Sequence, residues 1–525
     1  VSVAAAEFPP PRLPLRVLGP LAALLIWEGA ARAWADAYVL AGPLAVATYA
    51  ADHAGLLARA LAATLTNAAW AFLWGNLAAA LLAALVILVP RAERAVAALA
   101  LVVFCLPLVA TGPILRVMFG PGDGPQIVLG ALAVYYTTFL ALLVGLRAVP
   151  QGWLDLVRGY GRGRGAALVH VRAMAALPYL LAGLRIAAPA AILGAMIGEF
   201  TGAERGLGVL TIRGMRALDV EATWTVATLA AAASMAAYGA LGWLGRRLVT
   251  HPPALLGAPP AAPRAPRPWL RLAEAGLIAV AALALWQGAM DLGGLSPFFA
   301  KRPADVAAFV LTAPEAAANR AVLLGAFGET LAYAVPGYLA GLALGAGLAC
   351  AVQLLPGLGA LAMPVAIALR SVPIVTTAPL MVLLLGRGAV GTVTIVAVMI
   401  FFPTLVACLQ GLRQTPGQVI DVFDSYAAGR WRALWLARIP AMLPAFFAAA
   451  RMGVPAAILA ATTAEWLATG NGIGSLMALT ASTSAYGMLW SAIVLVALAA
   501  AAAYAGVAAV EARMLRRYAA EQVAR

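Results

Sequence analysis

The groups able to do chemistry in this chain are few and widely spaced. Among its 525 residues there is one lysine, Lys301, and three histidines, His53, His170 and His251, scattered too far apart for a metal site. Cys105, Cys350 and Cys408 lie inside apolar stretches without ligand spacing and read as packing residues. A phosphate-cradling loop needs Gly-x-x-x-x-Gly-Lys-Ser/Thr, and the lone lysine is followed by Arg302, so this chain carries no such ATPase site. Gly161-Arg-Gly-Arg-Gly165 is glycine-rich, but nothing before it reads as a strand. No nucleophile and base stand out as a set. What remains is four ionisable residues beside long apolar runs, Arg185, Glu199, Arg451 and Glu465, and two comparatively polar stretches, Asp155 to Pro178 and Asp421 to Pro444, each closing on Leu-Pro. An ionisable group at a spanning segment is costly and often functional. The chemistry on offer is recognition and electrostatics, so the chain reads as a non-enzyme.

The elements that must position these residues are set by composition. The chain is 64% hydrophobic and 11% charged, against roughly 25% charged in a soluble domain. A formal net charge of +14 raises the idea of nucleic acid, but the basic residues fall in short breaks between apolar segments and form no stripe. A membrane protein with arginine on its cytoplasmic loops accounts for both facts. Apolar runs at about 17–34, 63–89, 95–118, 126–146, 177–197 and 223–244 approach or exceed the roughly 20 residues a crossing needs. The first run could pass for a cleaved signal, but Trp27-Glu28-Gly29 recurs as Trp286-Gln287-Gly288 in an internal Arg-flanked run, which favours a retained first helix in each half.

The second half repeats the first. A constant offset of 266 residues pairs Thr64 with Thr330, Gly75 with Gly341, Pro107 with Pro373, Pro178 with Pro444, Arg185 with Arg451, Glu199 with Glu465 and Trp224 with Trp490, with no gap between. Gly, Pro, Trp, Arg and Glu do not align this way by chance in an Ala- and Leu-rich chain. The reading is an all-α polytopic membrane protein of about twelve spans: two six-helix repeats of the same sense, each with a polar loop, read as a cytoplasmic coupling helix, between its fourth and fifth spans. The first unit covers 1–249, a Pro- and Ala-rich linker 250–268, and the second unit 269–525. Arg12, Arg16, Arg91, Arg94, Arg158 to Arg172, Arg246 to Arg271 and Arg513 to Arg517 fall on one side if the spans alternate. That side is expected to be the cytoplasm, with both termini and both polar loops on it.

Within those loops the first copy reads Asp155-Leu-Val-Arg-Gly-Tyr-Gly161, then Val171-Arg-Ala-Met174 and Leu177-Pro178. The second reads Asp421-Val-Phe-Asp-Ser-Tyr-Ala427, then Ala437-Arg-Ile439-Pro440 and Leu443-Pro444. With Glu199 and Gly206-Leu-Gly208, and Glu465 and Gly472-Ile-Gly474, downstream, the chain resembles the permease of binding-protein-dependent ABC importers, in the branch that moves nitrate, sulfonates, taurine and related solutes. The resemblance spans nearly the whole chain twice. It implies a translocation subunit in the inner membrane of a prokaryote. Cytoplasmic ATPase subunits, two copies of them, would dock on the loops, and an extracytoplasmic substrate-binding protein would deliver a small solute. ATP and magnesium would sit on the partner, with no cofactor on this chain and no nucleic acid.

The resemblance assigns ATPase coupling to Asp155, Arg158, Tyr160, Gly161, Val171 and Pro178, and to Asp421, Asp424, Tyr426, Ala427, Pro440 and Pro444. Asp155 and Asp421 are expected at a helix N-terminus, Pro178 and Pro444 in a first helical turn, and Val171 and Ala437 on a buried face. Met174 and Ala427 depart from the pattern. Ala427 should need a backbone geometry other than that of Gly161, which would leave the two docking surfaces unequal. At about 1.5 Å per residue Glu199 lies about 30 Å beyond Pro178, near the outer mouth. It and Glu465 either gate or line the path, or hold the glycine-rich loop that follows. Arg185 and Arg451, about two turns past the proline, either attract an anion or pair structurally. The competing class is a 12-helix secondary transporter driven by an ion gradient, which calls for more charge at mid-membrane than these runs hold.

Overall fold

In the computed structural model the described residues are 24–34, 40–248, 268–355, 357–359, 381, 385, 386 and 388–518. All regular structure among them is helical. The first copy holds α1 (24–33), α2 (Pro43–Asp52), α3 (Ala54–Leu88), α4 (Glu93–Phe104), α5 (Leu108–Phe119), α6 (Gly124–Arg147), α7 (Gln151–Gly159), α8 (Arg164–Phe200), α9 (Leu207–Arg216) and α10 (Val220–Leu248). The second holds α11 (Pro268–Leu292), α12 (Pro303–Thr312), α13 (Ala316–Leu354), α14 (Ala389–Arg413), α15 (Gly417–Ser425), α16 (Arg430–Leu467), α17 (Gly472–Ser482) and α18 (Tyr486–Tyr518).

Eight of these helices are long and apolar enough to cross a bilayer, or nine crossings if α4 and α5 count as one. The other three expected runs are accounted for individually. The first, 17–34, starts outside the described residues. The apolar part of α11, Gly276–Leu292, is short. The second-copy counterpart of α4 and α5 lies mostly outside the described residues, as do the linker 250–267 and Pro373. The run at 95–118, expected as one span, turns by 91° between Phe104 and Leu108. Pro107 supplies no N–H to continue α4 and biases Leu106 away from helical backbone, so the chain leaves one axis and starts another.

The packing repeats with the sequence. α3 lies on α6 and α6 on α8; correspondingly α13 lies on α14 and α14 on α16. These approaches are close because small residues face one another. A Cβ added to Gly75 would stand 2.8 Å from the Ala131 carbonyl oxygen, and one added to Gly341 would stand 2.7 Å from that of Ala397, the residue 266 positions beyond Ala131. The first helices also match as the sequence pairs them: Trp27 tilts against Trp224 at 5.7 Å and Trp286 stacks on Trp490 at 5.4 Å between ring centroids.

The two copies share one core. Leu108, Val109, Leu129 and Ile197 cluster with Ile395, Ile400, Ala460 and Ala464, and Ala110 and Ile114 of α5 pack with Leu323, Ile473 and Met477. The bend before α5 is what presents that helix to the second copy. At one end of the first copy the basic residues meet the ends of the spans. Arg147 pairs with Glu93 at 2.6 Å, Arg164 donates to the Leu88 carbonyl at 3.4 Å, and Arg172 donates to the Leu146 carbonyl at 2.6 Å. Cations at helix C-termini meet both unsatisfied carbonyls and the negative end of the macrodipole. Glu199 is at the opposite end of α8.

Candidate functional site

At the end of α8, Glu199 is 1% exposed and wholly engaged. Thr64, in the first third of α3, donates its hydroxyl to Glu199 Oε1 at 2.7 Å, and the Gly208 N–H donates to Oε2 at 2.6 Å. The Leu207 N–H in turn donates to Thr64 Oγ1 at 2.8 Å. Glu465, at 2% exposed, repeats this in the second copy. Thr330 and the Gly474 N–H donate to its Oε2 at 2.9 and 2.8 Å, and the Ile473 N–H donates to Thr330 Oγ1 at 2.9 Å. Each carboxylate thus clamps the first turn of a short helix, α9 or α17, onto two spans. It accepts from N–H groups that a helix start leaves without intrahelical partners. The glycine-rich loop expected after Glu199 therefore leads directly into a pinned helix.

Glycine is required at the clamp. Gly206 and Gly472 have φ of +132° and +87°, and a Cβ on either would fall within 2.5 Å of the carboxylate. Of the two readings left open for Glu199 and Glu465, this geometry is that of a carboxylate holding the glycine-rich loop. Thr64 and Thr330 entered the sequence reading only as repeat markers. A hydroxyl inside an apolar run, 135 positions before a glutamate in both copies, is the signal for their role.

Arg185 and Arg451 are engaged laterally. The Arg185 guanidinium lies 4.0 Å from the Tyr238 ring centroid, and a Cβ on Gly242 would come within 2.8 Å of its Nε, so it sits between α8 and α10. Arg451 pairs with Glu511 at 3.1 Å and lies 5.9 Å from the Tyr504 ring, between α16 and α18. Tyr504 follows Tyr238 by the same 266 positions; Glu511 corresponds to Gly245, so only the second arginine has this acid. Arg451 is thus paired with an acid, whereas Arg185 rests on the Tyr238 ring and its buried Nε has no hydrogen-bond partner among the described residues.

The two polar loops have the same construction. α7 and α15 begin directly after Pro150 and Pro416, whose φ values of −57° and −56° suit a helix start. Asp155 and Asp421 consequently stand in mid-helix rather than at an N-terminus. Asp155 pairs with Arg158 at 2.9 Å on the exposed surface, and Asp421 and Asp424 are exposed as well. Pro178 and Pro444 also differ from expectation. α8 and α16 are continuous from Arg164 and Arg430, so both prolines are interior, preceded by a wider turn at Leu168–Arg172 and Leu434–Arg438. That turn occurs in both copies although Pro440 has Met174 as its counterpart, so it does not depend on Pro440. Val171 is half-buried and Ala437 buried.

Both short helices close the same way. The Gly161 N–H donates to the Arg158 carbonyl at 2.8 Å and the Arg162 N–H to that of Val157 at 3.1 Å; the Ala427 N–H donates to Asp424 at 3.0 Å and the Ala428 N–H to Phe423 at 2.8 Å. This Schellman pattern demands left-handed backbone at its C′ residue. Gly161 has φ +68° and Ala427 φ +49°. Ala427 therefore adopts the same geometry as Gly161, against expectation, because two backbone hydrogen bonds impose it. A left-handed alanine costs about 1 kcal/mol relative to glycine. Ala427→Gly is expected to lower the amide exchange rates of residues 427 and 428 by about fivefold, and unchanged rates would refute the strain.

What differs between the loops is their surface. Tyr160 and Tyr426 are 78% and 83% exposed. Around them the first loop exposes Trp153, Leu156, Val169 and Met174, and the second Val422, Trp431, Trp435 and Leu436. Trp435 corresponds to Val169 and Trp431 to Gly165. Solvated loops seldom carry apolar side chains this large and this exposed in so short a stretch; such patches mark contact surfaces.

The chain is a tandem pair of helical units, each with a clamped short helix at one end and an exposed loop at the other. The chain belongs to the family described as binding-protein-dependent transport system inner membrane component, which it matches twice, over residues 75–250 and 341–516. It is 33% identical over 238 residues to a probable ABC transporter permease protein of Haemophilus influenzae, covering 45% of this chain and 96% of that one. It is 28% identical to the formylaminopyrimidine transport permease protein ThiX of Halalkalibacterium halodurans, over 37% and 79%. Similarity to the putative aliphatic sulfonates transport permease protein SsuC of Escherichia coli is 26% over 22% and 44%. No solved structure matches.

Proposed function

We propose that this chain is the complete translocation pore of an ATP-driven importer for a small solute, with both halves supplied by one polypeptide. The observation that carries the reading is the pair of equivalent loops with exposed apolar faces at one end of a shared core, in a chain that belongs to a binding-protein-dependent family. Two ATPase domains dock at α7 and α15, holding ATP and magnesium themselves, with Asp155, Arg158, Tyr160 and Gly161, and Asp421, Asp424, Tyr426 and Ala427, at the contacts. Val171, Pro178, Pro440 and Pro444 connect those contacts to α8 and α16. Because each loop continues without interruption into a spanning helix, displacement of the loop moves that helix as a body and shifts the pore between inward and outward access. The loops and both termini face the cytoplasm of the inner membrane, and a binding protein delivers solute at the clamped end. The relatives' named cargoes, formylaminopyrimidine and aliphatic sulfonates, belong to different chemical classes and leave this chain's solute to be found by its own site.

The chain co-purified with its ATPase and reconstituted into vesicles is expected to hydrolyse ATP faster when the loaded binding protein is added outside. Asp155→Lys with Asp421→Lys is expected to release the ATPase. Transport by the chain alone on a proton or sodium gradient would overturn the reading.

A further inference from the structure

The two outer clamps differ in one respect that points to a ligand. In the first copy both oxygens of Glu199 have partners. In the second, Thr330 and Gly474 both donate to Glu465 Oε2, and Oε1 is buried without a hydrogen-bond partner. A second carboxylate stands beside it. Glu329, which has Ala63 as its first-copy counterpart, accepts from the Gly472 N–H at 2.9 Å, so both acids grip the first turn of α17. Glu465 and Glu329 line a cavity of about 670 Å³ with Trp466, Asn471, Thr469 and Ser475. No arginine, lysine or histidine lines it among the described residues.

A buried carboxylate oxygen without a donor, next to a second carboxylate and no cation, is electrostatically unfavourable in its ionised form, and a cationic ligand would favour that form. The cavity is placed for that charge to come from outside, because Glu329 is exposed. An indole among the lining residues favours an organic cation over a hydrated metal ion, since its face attracts ammonium and guanidinium-type groups. Trp466 and Leu467 also pack against the core shared by the two copies, so the cavity adjoins the seam along which a pore would open.

We propose that this cavity binds a small solute through an ammonium or amidinium group, held between the Glu329 and Glu465 carboxylates. Calling that solute the cargo rests on the permease reading; binding itself does not. The test uses the full chain in phosphatidylcholine nanodiscs, without ATPase or binding protein, titrated calorimetrically with benzamidine and with methanesulfonate, empty discs subtracted. Benzamidine is expected to bind at one saturable site and methanesulfonate not at all. Glu329→Gln should weaken benzamidine at least tenfold while leaving thermal unfolding unchanged, Glu329→Asp should retain binding to within threefold, and Glu204→Gln, in the first-copy loop, should have no effect. Absence of saturable benzamidine binding, unchanged affinity in Glu329→Gln, or displacement by sodium at equal concentration overturns the proposal. A chain that fails here but still couples ATP hydrolysis to its binding protein leaves the permease reading standing.

Discussion

Replacing Glu465 by alanine is expected to release α17 from the span beneath it. The substitution leaves the Gly474 N–H without its acceptor, in a site where the carboxylate is 2% exposed, while the Thr330 hydroxyl falls back on the Ala326 carbonyl at 3.3 Å. A buried donor left unsatisfied costs about 1–3 kcal/mol, and that is the local cost expected here. Amide exchange at Ile473 and Gly474 is expected to rise at least tenfold, the equivalent of about 1.4 kcal/mol. Glu465→Gln keeps an acceptor oxygen and should retain most of the protection. Thr330→Val combined with Glu465→Ala should cost less than the sum of the two singles, because both act on one network. Glu199→Ala with Thr64→Val is expected to behave alike for Leu207 and Gly208. Exchange rates that stay put in Glu465→Ala would show that α17 is held by its apolar contacts alone.

That clamp also shows what the residue pattern could and could not disclose. The duplication was legible because residues whose backbone or packing needs are strict, Gly75 with Gly341 and Trp224 with Trp490, recur without a gap. Glu199 and the glycines at 206 and 208 were visible as unusual residues, yet their shared purpose required Thr64, which is 135 positions away from Glu199 and only a fold brings near. The bend before α5 was not anticipated because hydropathy is blind to direction: the run at 95–118 stays apolar through Pro107. The helix boundaries around Asp155 and Pro178 were misjudged for a related reason. Pro150 sets the start of α7 four residues earlier than the acid implied, and α8 runs on from Arg164 with Pro178 in its interior. Ala427 is the clearest case, since alanine has no preference for φ +49° and takes it only because two hydrogen bonds close the helix end.

The same comparison locates the inequality between the docking loops. The turns are alike, so any difference in partner affinity must come from the faces they carry. Trp435 stands where the first copy has Val169, and both are about equally exposed, at 62% in each case. Burying a side chain of aliphatic or larger size contributes about 1.5–3 kcal/mol, and an indole buries more area than an isopropyl group. Tyr426→Asp with Trp435→Asp is therefore expected to weaken ATPase binding at least a hundredfold, about 2.7 kcal/mol. Tyr160→Asp with Val169→Asp should weaken it closer to tenfold. Surface plasmon resonance of the ATPase over nanodisc-held chain measures both. Each variant should keep the unfolding temperature of the parent, because the altered side chains already face water. Equal losses at the two loops would place the binding energy in the backbone turn and the tyrosines they share, and no loss at either would remove the loops from the interface altogether.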